Sequence, residues 1–517
     1  MTQQRKLPIG IQTFSEIRLG GYYYVDKTAL AIDLVSRGKH YFLSRPRRFG
    51  KSLFLDTLKA LFEGHEALFQ GLAAHPLWDW SVQYPVLHIS FGSGHFTLET
   101  SLQQQLSEQL TELEKAAKLT PDSTSCSGRF KELIKHLETS TGQPVVVLID
   151  EYDKPILDAI HTPQIAQQNR DFLRGFYSTI KDYDAHIKFS LLTGVSKFSK
   201  VSLFSGLNNL SDITLDPRYS TLCGYTDHDI DTVFADELHG LDREQIRVWY
   251  NGYHWLGDGV YNPFDVLQLF DQRKFKNYWF ETGTPSFLVQ LIRERHIATP
   301  TLTNLSSDEE LLSSFEVEHI TLEALMFQSG YLTIKSVENI EGNEFYELGY
   351  PNLEVYQSLN NSLLKHLVYD GGTQVKQRIQ LSRLLRANDF DGLKSLFHSF
   401  FASIPHHWYS NNDIQNYEGY YASVFYSYFA ALGLDITVED CTNIGRIDMT
   451  LLFNSQVYIF EFKVVELVPE GNALQQIKDK GYADKYRNLQ QPIYLVGVEF
   501  SKNSRNVVGF EVEVINH

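Results

Sequence analysis

The chain has 517 residues, 43% hydrophobic and 21% charged, which are ordinary globular proportions in a chain too long for one core; about three domains are expected. A net charge of −17 argues against a protein that coats nucleic acid through a general positive field, while leaving room for a local basic groove. Three scattered cysteines, an N-terminus without an apolar signal core, and no uncharged apolar run of ~18–20 residues predict a cytoplasmic protein with no membrane partner.

The first elements alternate. A strand at 40–44 leads through a turn into a helix from Lys51, and a second strand covers 85–91. A helix at 97–118, an unbroken apolar strand at 144–150, a helix at 165–183 and a strand at 187–194 follow. This is the pattern of an α/β domain whose parallel sheet is buried on both faces. Residues 225–370 read as mostly helical, with β-like pieces at 330–335 and 345–348. Asp370-Gly371-Gly372 is the candidate linker. Beyond it come helices at 376–403 and 415–433, strands at 435–438, 446–453 and 457–465, a helix at 472–487, and strands at 492–499 and 507–514.

Residues 44–52, Ser-Arg-Pro-Arg-Arg-Phe-Gly-Lys-Ser, carry the second half of a phosphate loop, with Arg45 where the first glycine is usual. Gly50 lets the backbone approach phosphate, Lys51 is a point charge for the β- and γ-phosphates, and Ser52 can ligate Mg²⁺. The strand 145–150 ends in Asp150-Glu151. Asp150 would hold Mg²⁺ through water, and Glu151 would polarise the attacking water; the bland alternative is a strand end with two solvated acids. Thr193, ending the next strand, is either a γ-phosphate sensor or part of a plain Thr-Gly turn.

At the other end, Asp448 and the pair Glu461 and Lys463 interrupt two apolar, β-branched and aromatic runs. On a strand, i and i+2 share a face, so Glu461 and Lys463 point the same way, and a hairpin would bring Asp448 to them. Two carboxylates then suit a hard divalent cation, with an ammonium to activate water. The alternative is an edge-strand charge pair, although an unpaired carboxylate in so apolar a strand is costly. Taken with the ATP-site motifs, this suggests an ATPase fused to a metal-dependent nuclease.

Further motifs are Gly21-Tyr22-Tyr23-Tyr24-Val25-Asp26-Lys27-Thr28, Leu148-Ile149-Asp150-Glu151-Tyr152-Asp153-Lys154-Pro155 and Thr193-Gly194-Val195-Ser196-Lys197-Phe198-Ser199. Tyr250-Asn251-Gly252-Tyr253 and Phe327-Gln328-Ser329-Gly330-Tyr331-Leu332 complete the set. With the phosphate-loop segment, they make nearly the whole chain resemble the bacterial AAA-ATPase-like proteins that carry a C-terminal PD-(D/E)XK nuclease domain. The departure at Arg45 is typical of that family.

The resemblance implies a multidomain α/β protein: an AAA/ASCE-type P-loop domain (1–222), a helical or winged-helix middle region (223–372) and a restriction-endonuclease-like α/β domain (373–517). It implies ATP and Mg²⁺ as cofactors, with Arg47, Arg48, Phe49, Gly50, Lys51, Ser52, Asp150 and Thr193 at the nucleotide, Ser52 and Asp150 at its metal, and Glu151 catalytic. At the nuclease site it implies Asp448, Glu461 and the carbonyl of Phe462 as ligands for Mg²⁺ or Mn²⁺. Glu418, on a preceding helix, would reach the same metal, and Lys463 and Gln476 would serve catalysis. The basic residues Lys478, Lys480, Lys485 and Arg487 on the last helix either meet phosphates or form a plain solvated face. An AAA-type site is usually completed by a neighbour, so a homo-oligomer is expected, with Lys197, Lys200, Arg47 or Arg48 as candidates for that neighbour's cation.

Three features stay open: His406-His407 is a metal pair or a turn, Tyr250-Asn251-Gly252-Tyr253 is a packing turn or a catalytic group, and Phe14, Tyr24 and Asp26 flank the adenine or pack the N-terminus. The first functional reading is an ATP-controlled, Mg²⁺-dependent nuclease acting on DNA, in defence against foreign DNA or in mobile-element biology. The second is a nucleotide switch whose nuclease fold binds nucleic acid or a partner without cleaving.

Overall fold

The computed structural model describes residues 5–98, 100–197, 209–280, 288, 292, 299–303, 305–309, 312, 321–367, 371–402 and 418–515, with the main chain alone at 300, 301, 366, 367, 371–374 and 418–420. The chain forms two compact units: residues 1–282 with 304–352, and residues 283–303 with 353–517.

The first unit is built on β1 (His40–Ser44), β2 (Val86–Ser90), β3 (Val145–Asp150), β4 (Ile187–Gly194) and β5 (Ser211–Asp212). They form a five-stranded sheet in the order β2-β3-β4-β1-β5, and every pairing is parallel. Every residue of β1 and β3 is buried. That explains why their sequences run apolar without alternation. Because β4 lies between β1 and β3, the ends of these three strands meet at one edge of the sheet, where an open α/β sheet places its ligand site.

The helices Phe14–Gly20, Thr28–Arg37 and Cys126–Thr141 of this unit are absent from the expected elements. The Ser125 side chain caps the start of Cys126–Thr141 by accepting from Gly128 N. Arg129 on that last helix is buried and pairs with Glu114 of the helix Ser101–Ala117 at 2.7 Å.

The same unit holds a small antiparallel sheet of β6 (Leu305–Asp308), β7 (Thr333–Ile340) and β8 (Asn343–Gly349), in the order β6-β8-β7. Its hairpin turns at Glu341-Gly342, both with positive φ (53° and 89°), the conformation that a tight two-residue hairpin requires. A helix, Leu322–Ser329, precedes the hairpin.

In the second unit, β9 (Asp435–Cys441), β10 (Arg446–Phe453), β11 (Gln456–Val465), β12 (Ile493–Ser501) and β13 (Asn506–Ile515) form a mixed sheet in the order β13-β12-β11-β10-β9. The pairs β9–β10, β10–β11 and β12–β13 are antiparallel, and β11–β12 is parallel. A parallel neighbour demands a crossover, and the helix Asn472–Asp479 supplies it. Alternate residues of β11 serve opposite faces. Tyr458, Phe460 and Phe462 join a large core with Phe397, Phe425, Phe429 and Phe500. Val457 and Ile459 face a smaller cluster with Ile477 and Tyr482. Glu461 and Lys463 continue that second series.

Two expected helices are broken. The run expected at 376–403 is two helices, Gly371–Ala387 and Phe390–Ala402, parted at Asn388, which has φ 51°. Gly371 and Gly372 of the expected linker lie inside the first of these, and Asp370 lies outside the described residues. The helix expected over 472–487 ends at Asp479, and a 3₁₀ stretch, Tyr482–Leu489, begins after Gly481 with φ 59°. A left-handed residue cannot continue an α-helix. Among the described residues, no helix is long and apolar enough to cross a membrane.

Candidate nucleotide and metal sites

The turn after β1 enters the helix Lys51–Phe62 through Gly50 at φ 94°, a conformation that favours glycine. A Cβ on Gly50 would meet nothing within 4 Å, so the requirement there is conformational rather than steric. Lys51 is buried, and its Nζ donates to the carbonyls of Arg45 (2.8 Å) and Pro46 (3.0 Å). Burial holds its pKa below the usual lysine range.

Ser52 Oγ donates to Asp150 Oδ2 at 2.5 Å, while Thr193 Oγ1 and the Glu151 N–H donate to Asp150 Oδ1 at 2.8 and 3.0 Å. Three residues expected at this site thus converge on the Asp150 carboxylate. Glu151 occupies the left-handed region at φ 52°, and its carboxylate comes within van der Waals reach of a Cβ placed on Gly92. Burial, and then the Asp150 carboxylate, push its pKa up. Asp153 accepts from the N–H groups of Val195 and Ser196 and from Ser196 Oγ, which ties the turn after β3 to the turn after β4.

Arg45, the departure from the phosphate-loop pattern, is fully buried. It donates to the carbonyls of Ser44 (2.8 Å), Thr214 (2.9 Å) and Tyr219 (3.2 Å), and its guanidinium lies 4.1 Å from the centre of the Trp255 ring. It fastens the loop from beneath. Its desolvation is costly, and burial brings its pKa down to about 10. Phe49 turns its ring into Tyr253 and Trp255 at 4.7 and 5.5 Å. Arg48 lies 3.9 Å over Phe264, and the Arg47 carbonyl accepts from Trp279 Nε1. The side chains of Phe49 and Arg48 thus anchor the loop, and the peptide of Arg47 does the same.

Of the remaining expectations at this end, Lys197 is engaged by Asp212 at 2.5 Å in its own chain, and Lys200 lies outside the described residues. Phe14 packs on Tyr24 and Phe69, and Asp26 accepts from Thr28 and Ala73, the packing arrangement. In Tyr250-Asn251-Gly252-Tyr253, a Cβ on Gly252 would strike the Pro351 carbonyl at 2.1 Å, which marks a packed turn.

At the second site, β10 and β11 form the expected hairpin; from Met449↔Phe460 the register carries Asp448 opposite Glu461. Asp448 Oδ2 accepts the main-chain N–H of Phe462 at 2.8 Å. Glu439, across from Asp448 on β9, has φ 51°, although the pairing keeps its register on either side of it. Glu461 is 1% exposed. Its Oε1 accepts from Gln476 Nε2 and lies 3.5 Å from Lys463 Nζ. Its Oε2 is buried with no hydrogen-bond partner. Burial, and then the Asp448 charge, push the Glu461 pKa up to about 8; Lys463 pulls the other way.

Tyr482 falls within the helix expected over 472–487, and nothing in that pattern marks it as a site residue. The structure buries it at this site, where its hydroxyl donates to the Arg446 carbonyl at 2.7 Å, two residues before Asp448. Burial and then the Glu461 charge raise its pKa, against a hydrogen bond with Gln476. The only prior signal was an aromatic six residues beyond Gln476. Lys478, Lys485 and Arg487 are engaged within the chain by Glu513, Asp440 and Asp484. The main chain at Glu418 begins the helix Glu418–Ala430, but its side chain and His406-His407 lie outside what is described.

Among the described residues, no group of three or more His, Cys, Asp or Glu is placed to hold a metal. The donor set fits Mg²⁺ or Mn²⁺ in a leaner form: two carboxylates on one sheet face, one with a buried orphaned oxygen, and a main-chain carbonyl between Glu461 and Lys463. Mg²⁺ usually keeps several waters and takes only one or two carboxylates.

A β4-inserted parallel sheet with Lys51, Ser52 and Asp150 at its edge, joined to a mixed sheet bearing Asp448, Glu461 and Lys463, defines a P-loop protein with a nuclease-type domain. Residues 8–204 match the family described as "Predicted AAA-ATPase", and residues 416–510 match the PD-(D/E)XK nuclease superfamily. A protein of Azotobacter chroococcum mcd 1, described as "Uncharacterized protein in vnfD 5'region", is 61% identical over 511 residues, covering 99% of each chain. The chain belongs to the family of AAA-ATPase-like proteins with a C-terminal PD-(D/E)XK nuclease domain.

Proposed function

We propose that this protein is an ATP-binding and ATP-hydrolysing enzyme with a Mg²⁺-dependent nuclease domain that cleaves DNA, and that the nucleotide state of the first unit governs the second. The observation that carries the nuclease reading is Glu461 Oε2, buried without a partner beside Asp448 and Lys463. Such an atom is costly unless a cation or a proton meets it.

Asp448, Glu461 and the Phe462 carbonyl would hold the metal. Bound there, Mg²⁺ supplies Lewis acidity and lowers the pKa of water. Lys463 places a positive charge where negative charge develops on the scissile phosphate and orients the attacking water. Gln476 holds Glu461 by Oε1, which leaves Oε2 as the oxygen available to a cation. At the other site, Lys51 would exchange the carbonyls of Arg45 and Pro46 for phosphate oxygens. Ser52 and Asp150 would hold the nucleotide's Mg²⁺, Thr193 would report on the γ-phosphate through Asp150, and Glu151 would orient water. Defence against foreign DNA is the cellular role that suits this pairing, and assembly into a homo-oligomer would complete the ATP site.

A second reading is a nucleotide switch that binds nucleic acid without cutting. It is favoured by the net charge of −17 and by the ion-paired state of Lys478, Lys485 and Arg487. Calorimetric titration with Mn²⁺ separates the readings. Binding to the wild type that disappears in Asp448→Ala supports the enzyme; a wild type that takes no metal removes it.

A further inference from the structure

The part of the nuclease site supplied by the helix Asn472–Asp479 depends on how closely that helix meets the sheet, and two residues of β12 govern the approach. In the parallel β11–β12 register, Gly497 lies beside Glu461, and Glu499 beside Lys463. Residues paired in this way share a sheet face. A Cβ on Gly497 would lie 2.3 Å from Leu474 N. Only a residue without one lets the helix backbone come down next to Glu461.

Glu499 is 2% exposed. Its Oε2 accepts from Glu470 N (2.6 Å) and Gly471 N (3.1 Å), and its Oε1 from Ala473 N (3.3 Å). One buried carboxylate therefore satisfies N–H groups that the start of a helix leaves free, and its charge suits the positive end of the helix. Three residues beyond Ala473, just under one turn on, Gln476 reaches Glu461 Oε1.

We propose that Glu499 is a positioning residue of the nuclease site: it docks the helix Asn472–Asp479 so that Gln476 meets Glu461 and fixes which Glu461 oxygen remains for the cation. This rests on the metal-site reading given above. Glu499 touches neither metal nor substrate; it acts through Gln476, as partners behind a ligand commonly do.

The test is Mn²⁺ titration of the full chain by calorimetry, with thermal unfolding of each variant. The wild type and Asp448→Ala define the site. Glu499→Ala and Glu499→Gln are then measured alone and combined with Gln476→Ala. A folded Glu499→Ala protein is expected to bind Mn²⁺ about tenfold more weakly. Glu499→Gln, which keeps the shape and one acceptor, should lose less. Neither should weaken binding further once Gln476 is already Ala. If Glu499→Ala does not fold, the Glu499→Gln pair carries the same comparison.

Wild-type affinity in the Glu499 variants, or losses that add in full to that of Gln476→Ala, would overturn the positioning role while leaving the metal site standing. No Mn²⁺ binding by the wild type would overturn both.

Discussion

Asp448 Oδ2 accepts the main-chain N–H of Phe462 at 2.8 Å, so a carboxylate on one strand holds the residue between Glu461 and Lys463 on the next. The bond fixes the spacing of the three chemical groups through the backbone. It also places the Asp448 charge where it hinders ionisation of Glu461. Such a site is charged only at a cost, which a cation would offset.

Metal binding should therefore be pH-dependent. With the Glu461 pKa at about 8, a cation arriving below that pH must displace a proton. Mn²⁺ affinity is expected to rise from pH 6 to about 8 and then level. Calorimetry at pH 6.5 in buffers of different ionisation enthalpy should detect close to one proton released. Without metal, the sign for stability is the reverse. The folded state keeps a proton on Glu461 that the unfolded chain gives up near its ordinary value of 4.5. This contribution to stability is full below that value and is lost as pH rises through about 8. Asp448→Asn should shrink it.

Lys463 and Asp448 should separate binding from chemistry. Lys463→Ala is expected to retain Mn²⁺ and lose cleavage by about 100-fold or more, the scale of a removed transition-state donor. Asp448→Ala should lose both. Equal metal loss in the two variants would make Lys463 part of the binding set instead.

Arg45→Gly would restore the usual phosphate-loop glycine, and the geometry says it should harm the protein. It strands the carbonyls of Ser44, Thr214 and Tyr219 and removes the stack on Trp255. A loss on the order of 3 kcal/mol in urea unfolding is expected, with ATP affinity unimproved. A stable variant with tighter ATP binding would show that Arg45 obstructs the site rather than supporting it.

At the nucleotide site, Lys51→Ala should abolish ATP binding. Glu151→Gln should keep binding and lose most turnover. Thr193→Ala frees Asp150 Oδ1 from one donor and should slow hydrolysis more than it weakens binding. Fluorescent-nucleotide titration and phosphate release, measured on the same preparations, distinguish these outcomes.

Much of this was legible before the structure. β1 and β3 announced themselves because a strand covered on both faces has no reason to alternate, and Ser52, Asp150 and Thr193 meet because three strand ends converge. Asp448 and Glu461 stood out as charges in apolar runs. Glu499 did not. It too is a carboxylate in an apolar strand, but the N–H groups it satisfies lie 26 to 29 residues earlier, across a crossover that no local pattern encodes. The breaks at Asn388 and Gly481 were hidden because hydrophobic periodicity continues past a single left-handed residue. In the sequence Arg45 is only a departure typical of the family; its buried role depends on Trp255, more than two hundred residues away.

On the proposed reading, the two sites form one ATP-governed nuclease. The most direct measurement incubates the purified chain with linear, circular and single-stranded DNA in Mg²⁺, with and without ATP, beside Lys463→Ala and Lys51→Ala. Cleavage that vanishes in Lys463→Ala and changes with ATP only while Lys51 is present is the expected result. Cleavage that survives in Lys463→Ala, or no cleavage of any substrate while ATP is still turned over, would contradict it.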